Sequence, residues 1–366
     1  MTTPSNEVNM APTNDGLRLV LSFVQSMSLL QFSFSKILMP ILIIAIINNS
    51  LLVLVVIREK AFHKSTYYLL CNQALANAIC LTCVFIFSST LTVSAAPSNS
   101  IPNNITQSQS ASSISNYSNC TLSSIIYHGS YTVSVLSLAF IALDRYRVVT
   151  QSNAKNYDIK AILVTNVLIW LVGWVNGYFF SNFIDHNVLS LTVCDLKFDS
   201  PQLAQAYFTI NFILTYLLPT IVIVTSYILI IRYLKREHSQ IKSIAKIKRK
   251  RRNRVIKMSM VITFFFLIPA SPWAIFSLII SFLQINFSDI VNYNNTTVII
   301  LAPLFQLFYL LTCIVTPALI ASYNKAIKSA FVLIYFFYLP KKWRETIINF
   351  KIPSCIIFHP FNRGHP

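Results

Sequence analysis

Residues able to do chemistry are few in this chain and oddly placed. His128 is the only histidine within its long apolar runs. The clustered His, Cys, Asp and Glu of a catalytic centre or metal site are missing from them, which argues against an enzyme. Single uncharged polar residues stand there instead: Asn49, Asn77, Ser134 and Thr316. One charged pair, Asp144-Arg145, followed by Tyr146, closes one of the runs. A polar group surrounded by apolar neighbours is costly unless it finds a partner. Taken singly, each of these residues is accounted for by a hydrogen bond to a neighbouring helix. Their recurrence along successive runs needs a fuller explanation.

The elements that must position them follow from composition. Of 366 residues, 55% are hydrophobic and 11% charged, with a mean hydropathy of +0.60. Soluble domains carry about 25% charged residues, so much of this surface must face lipid. Seven apolar runs each reach the roughly 20 residues that cross a hydrocarbon core. They lie at Ile37–Ile57, Tyr67–Val93, Leu122–Val149, Ala161–Phe183, Ala204–Tyr233, Val255–Phe282 and Val298–Ser322. The fold class expected is all-α: a seven-transmembrane helix bundle. Ala330–Leu339, too short to span and flanked by lysines, reads as a short amphipathic helix on the membrane surface after the seventh span. Leu17–Leu30 is moderately apolar but lacks the basic start and cleavage site of a signal peptide. It is expected to form an ordered lead-in to the first span. The chain therefore divides into an N-terminal segment (1–36), a seven-transmembrane domain (37–323) and a surface helix and tail (324–366).

Charge fixes the orientation. Alternate loops and the tail hold 26 of the 29 Lys and Arg residues, 12 of them within Arg232–Lys257. The other side holds Arg18, Lys36 and Lys197. Basic loops stay in the cytoplasm, so the N-terminus is expected outside and the C-terminus inside. The basic run Lys248–Arg254 then reads as a patch attracted to anionic lipid headgroups, and nucleic acid is not an expected partner. Sequons at Asn104, Asn116, Asn119, Asn286, Asn294 and Asn295 fall in the expected outside loops, and the one at Asn48 lies inside the first span. The Ser- and Asn-rich stretch Ser94–Asn119 reads as a flexible outside loop. Cys71, Cys80, Cys83 and Cys313 sit within spans as small packing residues. Cys120, at the outer end of the third span, and Cys194, in the outside loop after the fourth, face an oxidising compartment. A bridge between them would pin that loop over the mouth of the bundle.

At this point the residues resemble a family. Leu136–Val149, LSLAFIALDRYRVV, is similar to the inner end of the third helix of rhodopsin-like (class A) G-protein-coupled receptors, with Asp144-Arg145-Tyr146 as its D-R-Y triad. Cys120 stands 25 residues before Arg145 and Trp170 stands 25 after it, as the family's bridge cysteine and fourth-helix tryptophan do. Asn49 resembles the first-helix asparagine, and Asn72-Gln-Ala-Leu-Ala-Asn77 resembles N-L-A-x-A-D of the second helix. Pro219 with Tyr227 matches the fifth helix, Phe266 with Pro272 the sixth, and Thr316-Pro317 with Asn324 the seventh. The resemblance implies that Arg145 turns to line a cavity for a heterotrimeric G protein when the sixth helix swings outward. It also implies that Val135, Pro219 and Phe266 form the packing switch between the third, fifth and sixth helices. Pro272 would supply the sixth helix's kink, exaggerated or shifted by Pro269 one turn earlier.

The departures carry their own expectations. Asn77 replaces the second-helix acid that binds sodium in the family, Ala270 replaces the sixth-helix tryptophan, and Thr316-Pro317-Ala-Leu-Ile320 lacks both the Asn and the Tyr of the seventh-helix motif. Arg252 and Arg254 stand where some members place a glutamate that latches the D-R-Y arginine. Sodium-insensitive ligand affinity and high basal activity are expected from these changes. Tyr127 occupies the place of the aspartate used by amine receptors, and Leu310 that of the retinal lysine. A monoamine, a retinal Schiff base and any other cofactor are therefore not expected. The ligand-pocket candidates are Tyr127, Tyr131, Asn211, Thr215, Trp273, Ser277 and Gln306, with Asp185, Asp195 and Asp199 above them. Aromatic and uncharged-polar walls below acidic loops suit a peptide with a basic group, or a neutral small molecule; peptide is the favoured class. The competing reading is a receptor-like protein that no longer signals, serving as a heteromer partner or decoy.

Overall fold

The computed structural model describes residues 38–59, 62, 65–94, 109–150, 159–185, 195–196, 198–237, 245–284, 296–323 and 327–331. Seven long helices run through them. α1 is Leu38–Arg58, α2 is Ser65–Ser94, α3 is Gln109–Thr150 and α4 is Ile159–Ser181. α5 is built from Pro201–Phe212, a π-helical turn Ile213–Leu217 and Leu218–Glu237. α6 is Ala245–Leu283 and α7 is Thr296–Tyr323. Two short strands, β1 (Ile184–Asp185) and β2 (Asp195–Leu196), pair antiparallel with Asp185 opposite Asp195. Six helices are long and apolar enough over their described residues to cross a membrane, and in α7 the described apolar stretch is Leu310–Ser322.

Each expected span is a helix, but three ends differ from the sequence reading. Residues 109–119, expected in a flexible loop, form the first turns of α3. The basic segment Lys248–Arg254 lies on the first turns of α6 rather than in a loop, and α5 runs on to Glu237. The cause is common to all three. Starting a helix is costly, whereas extending one fixes a single further residue per hydrogen bond, and Lys and Arg are good helix formers. Leu17–Leu30 lies outside the described residues, as does most of the expected surface helix. The segment 327–331 is helical, with Ile327 and Phe331 buried.

α3 is the centre of the bundle, packed on α2, α4 and α5, while α6 packs on α7. The main core includes Leu52, Leu81, Leu138, Ile223, Phe266 and Ile320, all essentially inaccessible. α4 explains its own placement. Its buried residues Ile162, Ile169, Gly173, Gly177, Phe180 and Ser181 fall on one helical stripe. Its remaining face, with Leu163, Val167, Leu168, Leu171 and Val175, is open and suited to hydrocarbon. Gly173 and Gly177 are required there. A Cβ on Gly173 would lie 2.7 Å from the Gly129 carbonyl oxygen, and one on Gly177 would strike the Ile125 carbonyl oxygen. Two helix backbones meet where both lack side chains.

The prolines leave carbonyls that other groups satisfy. Pro272 takes the N–H from the Ile268 carbonyl, and the Ser271 hydroxyl donates to that oxygen at 2.8 Å. Pro317 does the same to Cys313, whose carbonyl accepts from Asn49 Nδ2 at 3.1 Å. In α5 the π-turn precedes Pro219, and the Leu218 N–H reaches back to the Ile213 carbonyl. Such substitutions let proline persist inside spans.

Candidate functional site

Sequence order places Asp144 and Arg145 at the inner end of α3, and the structure separates their roles. Asp144 is buried and accepts hydrogen bonds from two hydroxyls at the start of α2: Ser65 Oγ at 2.9 Å, and Thr66 Oγ1. The α2 N-terminus also presents its positive dipole end to that carboxylate. Arg145 is half-buried, and the neighbouring Asp144 carboxylate is its leading electrostatic partner, followed by Tyr67 and Tyr227. Its Nε has no hydrogen-bond partner among the described residues. α2 thus holds the Asp144 carboxylate by hydrogen bonds while that carboxylate still acts on Arg145 electrostatically.

The residues expected to form the packing switch lie in the main core. Val135 and Phe266 are both about 1% exposed and share one cluster with Ile223 and Tyr227. Pro219 and Pro317 are buried and Pro272 is half-buried. Tyr146 packs against the same cluster. The Tyr227 hydroxyl meets Thr263 Oγ1 at 3.2 Å, tying α5 to the inner half of α6. Ile320 and Ala270, which replace polar or aromatic residues of the resembled motifs, are filled into the core at 0% and 1% exposure.

Polar residues on α2 and α3 pair in antiparallel register along their seam. Ser134 Oγ donates to Asn77 Oδ1 at 2.8 Å, and Asn72 Nδ2 donates to Ser137 Oγ at 2.9 Å. Trp170 Nε1 donates to Asn72 Oδ1 at 2.8 Å, which adds α4 to the seam. Thr316 Oγ1 instead returns to its own helix, on the Thr312 carbonyl at 2.5 Å.

The half of the bundle away from Asp144 is aromatic. Phe180, Phe183, Phe208 and Phe276 form a second buried cluster, with Tyr207, Phe198, Trp273 and Phe305 packed on it. His128 stacks on Phe180 with ring centroids 3.5 Å apart, and Tyr127 meets His128 edge-on. The buried Tyr131 stacks on Phe266 with ring centroids 6.5 Å apart. Below the cluster, Asn176 joins three helices. Its Nδ2 donates to Thr132 Oγ1 at 2.9 Å and Asn211 Oδ1 at 3.0 Å, and its Oδ1 accepts from the Tyr207 hydroxyl at 3.1 Å.

Two comparisons with known proteins bear on this arrangement. The 7 transmembrane receptor (rhodopsin family) model matches residues 48–319, about three quarters of the chain. The chain belongs to the rhodopsin family of seven-transmembrane receptors. Squid rhodopsin is a similar solved structure, with TM-score 0.66 and 15% identity over 89% of this chain and 93% of that one. At that identity the likeness is one of fold. No curated protein matches the sequence significantly. The chain is thus a multi-pass membrane protein of a family of receptors rather than enzymes.

Within this receptor the pocket candidates do not all play the same part. Tyr127 and Trp273 lie at the outer aromatic cluster, half-buried. Asn211 is committed to Asn176. The buried Thr215 returns its hydroxyl to the Asn211 carbonyl at 2.8 Å within the π-turn. The half-buried Ser277 bonds the Ala274 carbonyl at 3.0 Å. Gln306 lies on α7, with its side chain outside the described residues. So do the side chains of Cys120 and Asn116 on α3, and Cys194, Asn104, Asn286, Asn294 and Asn295 entirely. Four residues escaped the sequence reading: Asn176, Tyr207, Ser65 and Thr66. Asn176 could have been found by the cost rule already applied to Asn49, since it too is an amide inside a span. The glycines flanking it at Gly173 and Gly177 mark the close crossing that brings it to Thr132.

Proposed function

We propose that this receptor binds an extracellular ligand at the outer aromatic cluster and activates a heterotrimeric G protein through Arg145. The observation that carries this reading is the state of the inner end of α3. Arg145 is retained among Tyr67, Tyr227 and the core while its neighbour Asp144 is held by α2. With Asp144 hydrogen-bonded to α2, the guanidinium can turn to line a cavity when α6 moves. The Tyr227–Thr263 contact is the tie on α6 that such a movement must break.

A peptide with a basic group is the favoured ligand, and a neutral small molecule is the alternative. Asp185 and Asp195 stand directly opposite each other across the β1–β2 pair, with the exposed Asp199 four residues on. An acidic composition at this loop supports a ligand that carries a cationic group. The concentration of Lys and Arg in alternate loops and the tail supports an N-terminus outside and a C-terminus in the cytoplasm at the plasma membrane. Lys248–Arg254, on the first turns of α6, then lies at the level of anionic headgroups.

Cells expressing the receptor are exposed to fractionated extracts, and activation of every G-protein class is recorded. The reading expects an active fraction whose activity is lost on protease treatment. An active fraction indifferent to protease would shift the ligand to a neutral small molecule.

The buried Ile320 and Ala270 favour a second reading, in which an apolar seventh-helix core has silenced the switch and the protein acts as a heteromer partner or decoy. A surface-expressed receptor silent under every condition would support it.

A further inference from the structure

Among the described residues the buried rings fall in two clusters. Phe266 belongs to the main core with Tyr131, Tyr227 and Val135; Phe180, Phe208 and Phe276 belong to the aromatic cluster, with Trp273 packed on it. A close-packed interior passes a displacement on only where side chains touch. α6 offers no such line from one cluster to the other. Phe266, Ala270 and Trp273 share one stripe of that helix, and position 270, where the resembled motif carries tryptophan, holds a methyl group at 1% exposure. Between Leu267 and Phe276 the buried residues of α6 are Ala270 and Ala274. Neither has a side-chain rotamer to change.

α3 supplies what α6 lacks. His128 stacks on Phe180 with ring centroids 3.5 Å apart, and Tyr127 meets His128 edge-on at 5.1 Å. Tyr131 stands one turn further along the same face of α3. It is buried, and its ring lies within 13° of parallel to Phe266 at 6.5 Å. Aromatic pairs attract beyond their buried area at centroid separations of about 4.5–7 Å. Tyr131 is part of the main core, and Tyr127 packs against that core. The line of rings thus runs from Phe180 on α4, through His128, Tyr127 and Tyr131 on α3, to Phe266 on α6. Each ring is rigid, so it moves as a unit and displaces the next.

We propose that Tyr131 is the positioning residue that couples the aromatic cluster to Phe266, a task that α6 cannot perform through Ala270. Its use by a ligand rests on the reading of that cluster as the ligand site; the coupling itself does not. Full-length receptor in lipid nanodiscs carries a single fluorine on the para carbon of the Phe266 ring, and its NMR resonance is recorded without ligand or G protein. His128→Leu removes the stack on Phe180 and should move the resonance. Trp273→Leu, on α6 itself, should move it less. In a Tyr131→Leu background the displacement caused by His128→Leu should disappear, and in Tyr131→Phe, which keeps the ring, it should persist. A tyrosine with a merely structural role would alter stability and leave this transfer intact. Should Tyr131→Leu fail to fold, Tyr131→Met gives the same comparison, since Met adapts to the space without supplying a ring. A resonance unmoved by His128→Leu, a larger displacement from Trp273→Leu, or equal His128→Leu displacements with and without the Tyr131 ring would overturn the proposal. A receptor that never signals would overturn the ligand reading alone, because the fluorine measurement needs no signal.

Discussion

Asp144 has two suitors, the guanidinium next to it and the hydroxyls of Ser65 and Thr66, and the hydroxyls hold it. A carboxylate bonded to a helix start is well solvated by dipoles, so the pull of Asp144 on Arg145 is shared with α2. Replacing the hydroxyls, Ser65→Ala with Thr66→Val, should return Asp144 to Arg145. Basal G-protein activation, read by nucleotide exchange, is then expected to drop; a rise would mean that the hydroxyls themselves enforce rest. Asn49 offers a sharper test of the hydrogen bonding. It serves the Cys313 carbonyl that Pro317 leaves without a donor. Asn49→Ala should lower stability by about 1–2 kcal/mol, read from the unfolding midpoint in detergent. In the Pro317→Ala background, where position 317 regains its N–H, the same change should cost less. Equal losses in both backgrounds would contradict the assignment. Asn49, Asn77 and Ser134 were readable as a set because a polar residue inside a span is rare. Which carbonyl or hydroxyl each one meets was not, since partners such as Cys313 lie 264 residues away along the chain.

At the scale of elements, the apolar runs gave the helices and the prolines gave their weak points. They did not give the helix ends, because outside the membrane polar residues extend a helix at little cost, as at 109–119 and Lys248–Arg254. Nor did apolarity reveal the α3–α4 crossing, which depends on missing atoms rather than present ones. Gly173 and Gly177, one turn apart, let α4 touch α3 and so place Asn176 against Thr132 and Asn211. Gly177→Ala forces the backbones apart and should destabilise the receptor by about 1–3 kcal/mol. It should also weaken ligand binding at the aromatic cluster above. A variant with unchanged midpoint and affinity would mean that the two helices can separate freely. Asn211 and Thr215 show the limit of reading a pocket from residue type: both are polar and on the right helix, yet both are occupied by neighbours.

For the whole molecule, the two ends of the bundle are unlike and the middle connects them. Aromatic rings gather at one end, Asp144 and Arg145 sit at the other, and uncharged amides line the seam between. Because Asn77 carries no charge, the mid-membrane site lacks the negative group that holds a cation, and agonist affinity is expected to be the same in sodium and in a bulky organic cation. A strong sodium effect would contradict that account. Its central claim is that Arg145 is the output of a working receptor. The most direct measurement is basal and ligand-driven G-protein activation in cells expressing matched surface amounts of the receptor and of Arg145→Ala. The account predicts a clear basal signal from the receptor, raised by ligand, and loss of both in Arg145→Ala. A signal of equal size from the two proteins, or silence from the unsubstituted receptor at full surface expression, would contradict it.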